Sequence, residues 1–161
     1  MRAGTLSLRL FLLTSVWALV SVALIALVLT RAYRDSAEKR FGELLTANLY
    51  NLMASVEAGP DGGLTGTPDL RDARFSNYGS GWYWSVQAVN NPANRLASAS
   101  LAGASIPIPS DTPFDATFQR HYTYIDPASG NRHQELAAVE ARLFLGTGDE
   151  VYSFRIAGNK A

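Results

Sequence analysis

Apolar positions along the chain change their spacing twice, and each change marks a new kind of element. Leu10 to Thr30 reads LFLLTSVWALVSVALIALVLT, with no charge, proline or glycine. At about 1.5 Å per residue a helix of this length reaches about 31 Å, the thickness of a bilayer's hydrocarbon core. Thirteen of its residues are Leu, Ile, Val or Phe, each favouring membrane insertion by about 0.3–0.6 kcal/mol. The polar residues Thr14, Ser15 and Ser21 are small enough to bond back to helix carbonyls. The stretch is predicted to be an uncleaved membrane anchor. The alternatives are a cleaved signal and a buried core helix; the apolar core is longer than a signal's, and its exit offers no Ala-x-Ala cleavage site.

Beyond the run the spacing becomes helical. Ala37, Phe41, Leu44, Leu45, Leu49, Leu52, Met53 and Val56 recur at intervals of three, four and seven, the stripe of an amphipathic helix. One reading packs this stripe onto its own domain. A second divides it, one part packing on the domain and another pairing with a second copy of the chain. Gly59-Pro60-Asp61-Gly62-Gly63 is predicted to stop the helix. Residues 59–81 then form a turn-rich connection, with room for a short helical turn around Asp69–Phe75.

The period next drops to two. Gly81–Val89 reads as a strand with Trp82, Trp84, Val86 and Ala88 on one face. Arg95–Leu101 returns as its hairpin partner after the turn Asn90-Asn91-Pro92-Ala93-Asn94. A short helix starting near Pro113 is predicted to carry Phe114 and Phe118. Further strands are predicted at His121–Ile125, within 132–145 and at Val151–Ile156, with turns at Asp126–Asn131 and Gly146–Asp149. The expected architecture is therefore α+β: a leader at 1–9, a membrane helix at 10–30, and a domain at 31–161. That domain holds a helix at 31–58 and a roughly five-stranded, mostly antiparallel sheet at about 81–157.

Composition narrows the possibilities. Basic and acidic residues balance at 14 each, so no nucleic acid or acidic polymer is expected as a partner. With no cysteine there is no disulfide, thiolate metal site or thiol nucleophile. His121 and His133 lie in no metal-ligand spacing, and no G-x-S-x-G elbow is present. No catalytic residue and no metal ligand is assigned. Asp126, Asp149 and Glu150 read as solvated turn residues. Trp82, Tyr83, Trp84, Tyr122 and Tyr124 read as core, with an apolar pocket as the alternative. Candidate ligand contacts are Trp84, Arg95, Arg120 and Tyr122. Candidate signalling positions on the membrane-proximal helix are Phe41, Leu44, Leu45 and Leu49.

The runs SLRLFLLTSVWALVSVALIALVLTRAYRDSAEKRF, ELLTANLYNLMASVE, GWYWSV and FDATFQRHYTYIDPASGNRHQE resemble the N-terminal region of alphaproteobacterial, PhoQ-like sensor histidine kinases. The resemblance covers essentially the whole chain. It implies a periplasmic PDC/PAS-like sensor domain, anchored in the bacterial inner membrane and assembled as a homodimer that binds a small ligand or a periplasmic protein. It further implies a kinase core outside these 161 residues, using ATP and magnesium and passing phosphate to a response regulator. The C-terminal domain is placed outside the cytoplasm by this resemblance, because the positive residues flanking the apolar run do not decide orientation. The near-neutral charge departs from the acidic, cation-binding surface found in that family. A membrane-anchored periplasmic binding or regulatory protein without a kinase is the alternative, which the reading frame beyond Ala161 discriminates.

Overall fold

The computed structural model describes residues 3–126 and 133–159. The chain divides into two compact units, Met1–Arg40 and Phe41–Ala161. Helix α1, Ala3–Ser55, begins in the first and ends in the second, so helix already occupies most of the stretch expected as a leader.

In the first unit the large apolar side chains from Leu8 to Leu29 are 45–70% exposed. No described residue covers them, which makes this part of α1 a candidate membrane span. Two of the three polar side chains expected to bond back to the helix, Thr14 and Ser21, do so. Thr14 Oγ1 donates to the Leu10 and Phe11 carbonyls, and Ser21 Oγ donates to the Trp17 carbonyl at 2.8 Å. A hydroxyl bonded to its own helix removes the main cost of placing it in hydrocarbon.

The second unit is α+β. Among the described residues seven strands follow α1: β1 (Glu57–Ala58), β2 (Leu64–Thr65), β3 (Tyr83–Ala88), β4 (Arg95–Ala97), β5 (Gln119–Ile125), β6 (Glu135–Phe144) and β7 (Val151–Gly158). β1 and β2 form a small hairpin, and the other five form one sheet in the order β4-β3-β7-β6-β5. Every pairing is antiparallel. Period-two alternation gives the sheet two distinct faces. On one, Trp82, Trp84, Val86, Val139, Phe154 and Ile156 meet Leu45, Leu49 and Leu52 of α1, and Val56 just past its end, in a single buried cluster. On the other, Tyr83, Tyr122, Leu136, Ala138 and Ala157 pack against Leu101 and Ile106 from the connection before β5.

Close helix–sheet approach depends on Gly158. A Cβ there would come to 3.0 Å from Trp82, 3.1 Å from Leu45 and 3.1 Å from Phe41. Phe41 itself packs edge-on against Trp82, with ring centroids 5.7 Å apart.

Several expectations are corrected. α1 ends at Ser55, three residues early, because Glu57 and Ala58 pair with Thr65 and Leu64. The glycine-proline run thus turns a hairpin and does not cap a helix: Gly59 N donates to Gly63 O at 2.9 Å. Gly66 seals the hairpin's exit, since a Cβ there would lie 2.4 Å from the Ser55 carbonyl. β4 is only three residues long and passes into a 3-10 helix, Ala99–Leu101. Its serines explain the break: Trp84 N donates to Ser98 Oγ and Ser100 Oγ donates to the Trp82 carbonyl, so hydroxyls replace the strand ladder.

No helix forms at Pro113. Asp115 Oδ1 accepts from the amides of Thr117 and Gln119 at 2.8 and 3.0 Å, a local turn that competes with helix. The turn expected at 69–75 is present as a 3-10 helix at Ala73–Ser76, capped by Asp72. Beyond Asp126, the turn expected at 126–131 falls outside the described residues.

Candidate functional site: a buried guanidinium cluster beneath a pinned loop

Strand registry assembles the cluster. Arg120 in β5 is paired with Glu140 in β6, and Glu140 with Arg155 in β7. Three charged side chains thus stand in a row across the face opposite α1. Glu140 is fully buried, Arg155 is 3% exposed and Arg120 is 8% exposed. Arg120 Nε and Nη2 both donate to Glu140 Oε2, at 2.8 and 2.6 Å. Ser153 Oγ donates to Oε1 at 2.6 Å, and Arg142 Nε reaches the same oxygen at 3.2 Å. Arg155 Nε lies 3.7 Å from Oε1, within ion-pair range, but it has no hydrogen-bond partner among the described residues.

Burial by itself would raise the Glu140 carboxyl. The Ser153 and Arg120 hydrogen bonds and the neighbouring Arg155 and Arg120 charges outweigh it and hold the carboxyl below its ordinary range. Burial pulls the Arg155 guanidinium down from its usual value, against the opposing Glu140 charge.

The surplus donors pin the segment before β5. Arg120 Nη1 donates to the carbonyls of Pro109 and Thr112, Arg155 Nη1 to that of Ile106, and Tyr122 Oη to that of Pro107. Arg95 Nη2 in β4 donates to the Ala104 carbonyl at 2.9 Å. Residues 104–112 are thereby tied through their backbone at five carbonyls. Pro107, Pro109 and Pro113 lack amide donors, so side chains supply what a strand ladder would.

Of the four ligand-contact candidates, the structure brings Arg95, Arg120 and Tyr122 together beneath this one loop. Trp84 lies elsewhere, buried on the helix-facing side. The five aromatics therefore line no common pocket: Trp82 and Trp84 belong to one core, Tyr83, Tyr122 and Tyr124 to the other. Asp126 is no solvated turn residue. It is 4% exposed and accepts from Tyr83 Oη at 2.9 Å, and burial followed by that bond pushes the Tyr83 phenol up to about 12.

Sequence reasoning missed Glu140, Arg142, Ser153 and Arg155. Their signal was charge and hydroxyl at alternate positions of otherwise apolar strands, Val139-Glu140-Ala141-Arg142 and Phe154-Arg155-Ile156. On the helix, Leu45 and Leu49 are buried core, Phe41 is half-buried and Leu44 is 45% exposed.

Two surface depressions lie among the described residues. A cleft of about 820 Å³ has Asp61, Asp149 and Glu150 among its lining, yet no group of acidic or histidine side chains among the described residues is arranged to hold a metal. A second groove of about 610 Å³ is lined by Phe114, Phe118, Arg142, Leu143, Phe144 and Val151. No family model, curated protein or solved structure matches this chain.

Proposed function

We propose that the chain is the signal-sensing input region of a membrane-bound, PhoQ-like sensor histidine kinase, with residues 31–161 as a periplasmic PDC/PAS-like sensor and the kinase core outside these residues. One observation carries this reading. A single helix, α1, supplies both the uncovered apolar segment and three side chains of the sheet's core, Leu45, Leu49 and Leu52. A change in the sheet must be accommodated by the same helix that enters the lipid.

The reading accounts for the division of the helical stripe. Leu45 and Leu49 hold the helix to its own sheet, while Leu44 remains outside, at 45% exposure. A second copy of the chain is the proposed partner for that outer stripe. A ligand or partner protein would act by binding one dimer arrangement better than the other, since only differential affinity shifts an equilibrium. In this reading the chain performs no chemistry itself.

Cysteine scanning tests the dimer directly, because the chain has no native cysteine. Single cysteines introduced along residues 35–50, in the full chain in membranes, should crosslink with a helical period and peak on the side of Leu44. Uniformly absent or aperiodic crosslinking overturns the homodimeric reading.

A further inference from the structure

The groove beside Arg142 pairs an apolar wall with unbalanced positive charge. Arg120, Arg142 and Arg155 surround one carboxylate, Glu140, whose two oxygens already accept from Arg120, Ser153 and Arg142. Three guanidiniums against one carboxylate leave a surplus of two positive charges. In the two buried arginines, Arg120 Nη1 and Arg155 Nη1 donate to loop carbonyls. Arg142 is the member that reaches the surface, with its side chain 31% exposed and lining the groove.

The walls are aromatic. Phe114 lies under two of these guanidiniums, with Arg120 Cζ 4.3 Å and Arg142 Cζ 4.8 Å from its ring centroid. Phe144 and Phe118 flank the groove, 62% and 67% exposed. Phe118 also holds a left-handed backbone, φ 56°, a conformation that disfavours a bulky side chain. Its ring gains little burial in return. A residue kept both strained and exposed points to a function outside folding.

We infer that this groove binds a small aromatic carboxylate, its anionic head paired with Arg142 and its ring laid against Phe114, Phe118 and Phe144. The surplus charge selects the anion, and a guanidinium fork matches a carboxylate's two oxygens. The aromatic lining of Phe114, Phe118 and Phe144 selects an aromatic body over an alkyl chain. The site stands independently of the sensor reading, because occupancy is measured without any signalling output.

The test uses the full chain in lipid nanodiscs and 4-fluorophenylacetate as the probe, followed by fluorine NMR line broadening with empty nanodiscs subtracted. The acid should bind, and its neutral amide should bind about tenfold more weakly or worse. Arg142→Gln should weaken the acid by a similar factor while leaving the amide unchanged. Phe118→Gly relieves the backbone strain, so the fold should hold while binding weakens. Equal binding of acid and amide, or an acid affinity untouched by Arg142→Gln, overturns the site. Octanoate binding as tightly as the aryl acid overturns the aromatic occupant. Should Arg142→Gln fail to fold, the acid–amide comparison on the unaltered chain decides.

Discussion

Glu140 stands directly opposite Arg155 across the β6–β7 ladder, yet its short hydrogen bonds go to Arg120 and Ser153, and the Arg155 Nε stops 3.7 Å away. One carboxylate is thus shared unequally among three arginines. The consequence for stability is asymmetric. Removing a partner of a buried pair strands the other charge in a low-dielectric interior, at about 3–5 kcal/mol. Glu140→Leu should therefore destabilise the sheet domain by that amount, and adding Arg155→Met should recover part of the loss. Denaturant melts followed by near-ultraviolet circular dichroism give both values. A Glu140→Leu protein as stable as the parent would show that the cluster contributes nothing to folding.

The same carboxylate makes stability depend on acid. Its folded-state pKa lies below the ordinary value, so the unfolded chain binds the proton more tightly. The contribution of Glu140 is complete above the unfolded carboxyl's pKa, about 4.3. It is lost as pH falls from there through the lower folded-state pKa. Melting midpoints should drop over that acid interval in the parent, and by less in a Glu140→Leu, Arg155→Met variant. Identical acid slopes in the two proteins would remove Glu140 from the account.

Gly158 tests how tightly helix and sheet meet. The β-carbon and methyls of Gly158→Val would press on Trp82, Leu45 and Phe41, and overpacking of this kind destabilises by about 1–3 kcal/mol. Trading Phe41 for leucine in the same chain should relieve part of the pressure. An unchanged melting midpoint for Gly158→Val would mean that the helix can move off the sheet freely.

Leu44 and Leu49 separate the two uses of the helical stripe. Leu49 is fully buried, so Leu49→Ala should cost about 2–5 kcal/mol. Leu44→Ala should change stability by no more than about 0.5 kcal/mol while reducing crosslinking in a reporter cysteine chain. Equal stability losses at the two positions would place both residues in the domain's own core.

Loop pinning predicts a local effect. Arg95 Nη2 and Tyr122 Oη each hold one loop carbonyl, and a net hydrogen bond of this type contributes about 1 kcal/mol. Arg95→Met together with Tyr122→Phe should speed amide exchange within 104–112 while leaving β6 and β7 protected. Faster exchange throughout the sheet would mean that the loop is integral to global stability.

Much of the fold was legible along the chain. The strands centred on Trp84, Tyr122, Val139 and Phe154 were read from alternation, and the burial of Trp82, Trp84, Val86 and Ala88 together followed from the same period. The helix at Phe114–Phe118 was misread because Pro113 looks like a helix start, whereas the Asp115 carboxylate captures the amides that such a helix would need. The end of α1 was misplaced because pairing of Glu57 with Thr65 is not visible in local propensity. Arg95, Arg120 and Tyr122 were singled out as separate strand residues, with no indication that one loop lies over all three.

What the sequence by itself determined is the class of each segment: an apolar helix of bilayer length, an amphipathic continuation, and antiparallel strands. Those follow from side-chain periodicity, which is a local property. Tertiary structure alone decided the buried cluster, because Arg120, Glu140 and Arg155 lie on three different strands and meet only through registry. A shift of one residue in any of those strands would turn its charged side chain onto the apolar face packed by α1.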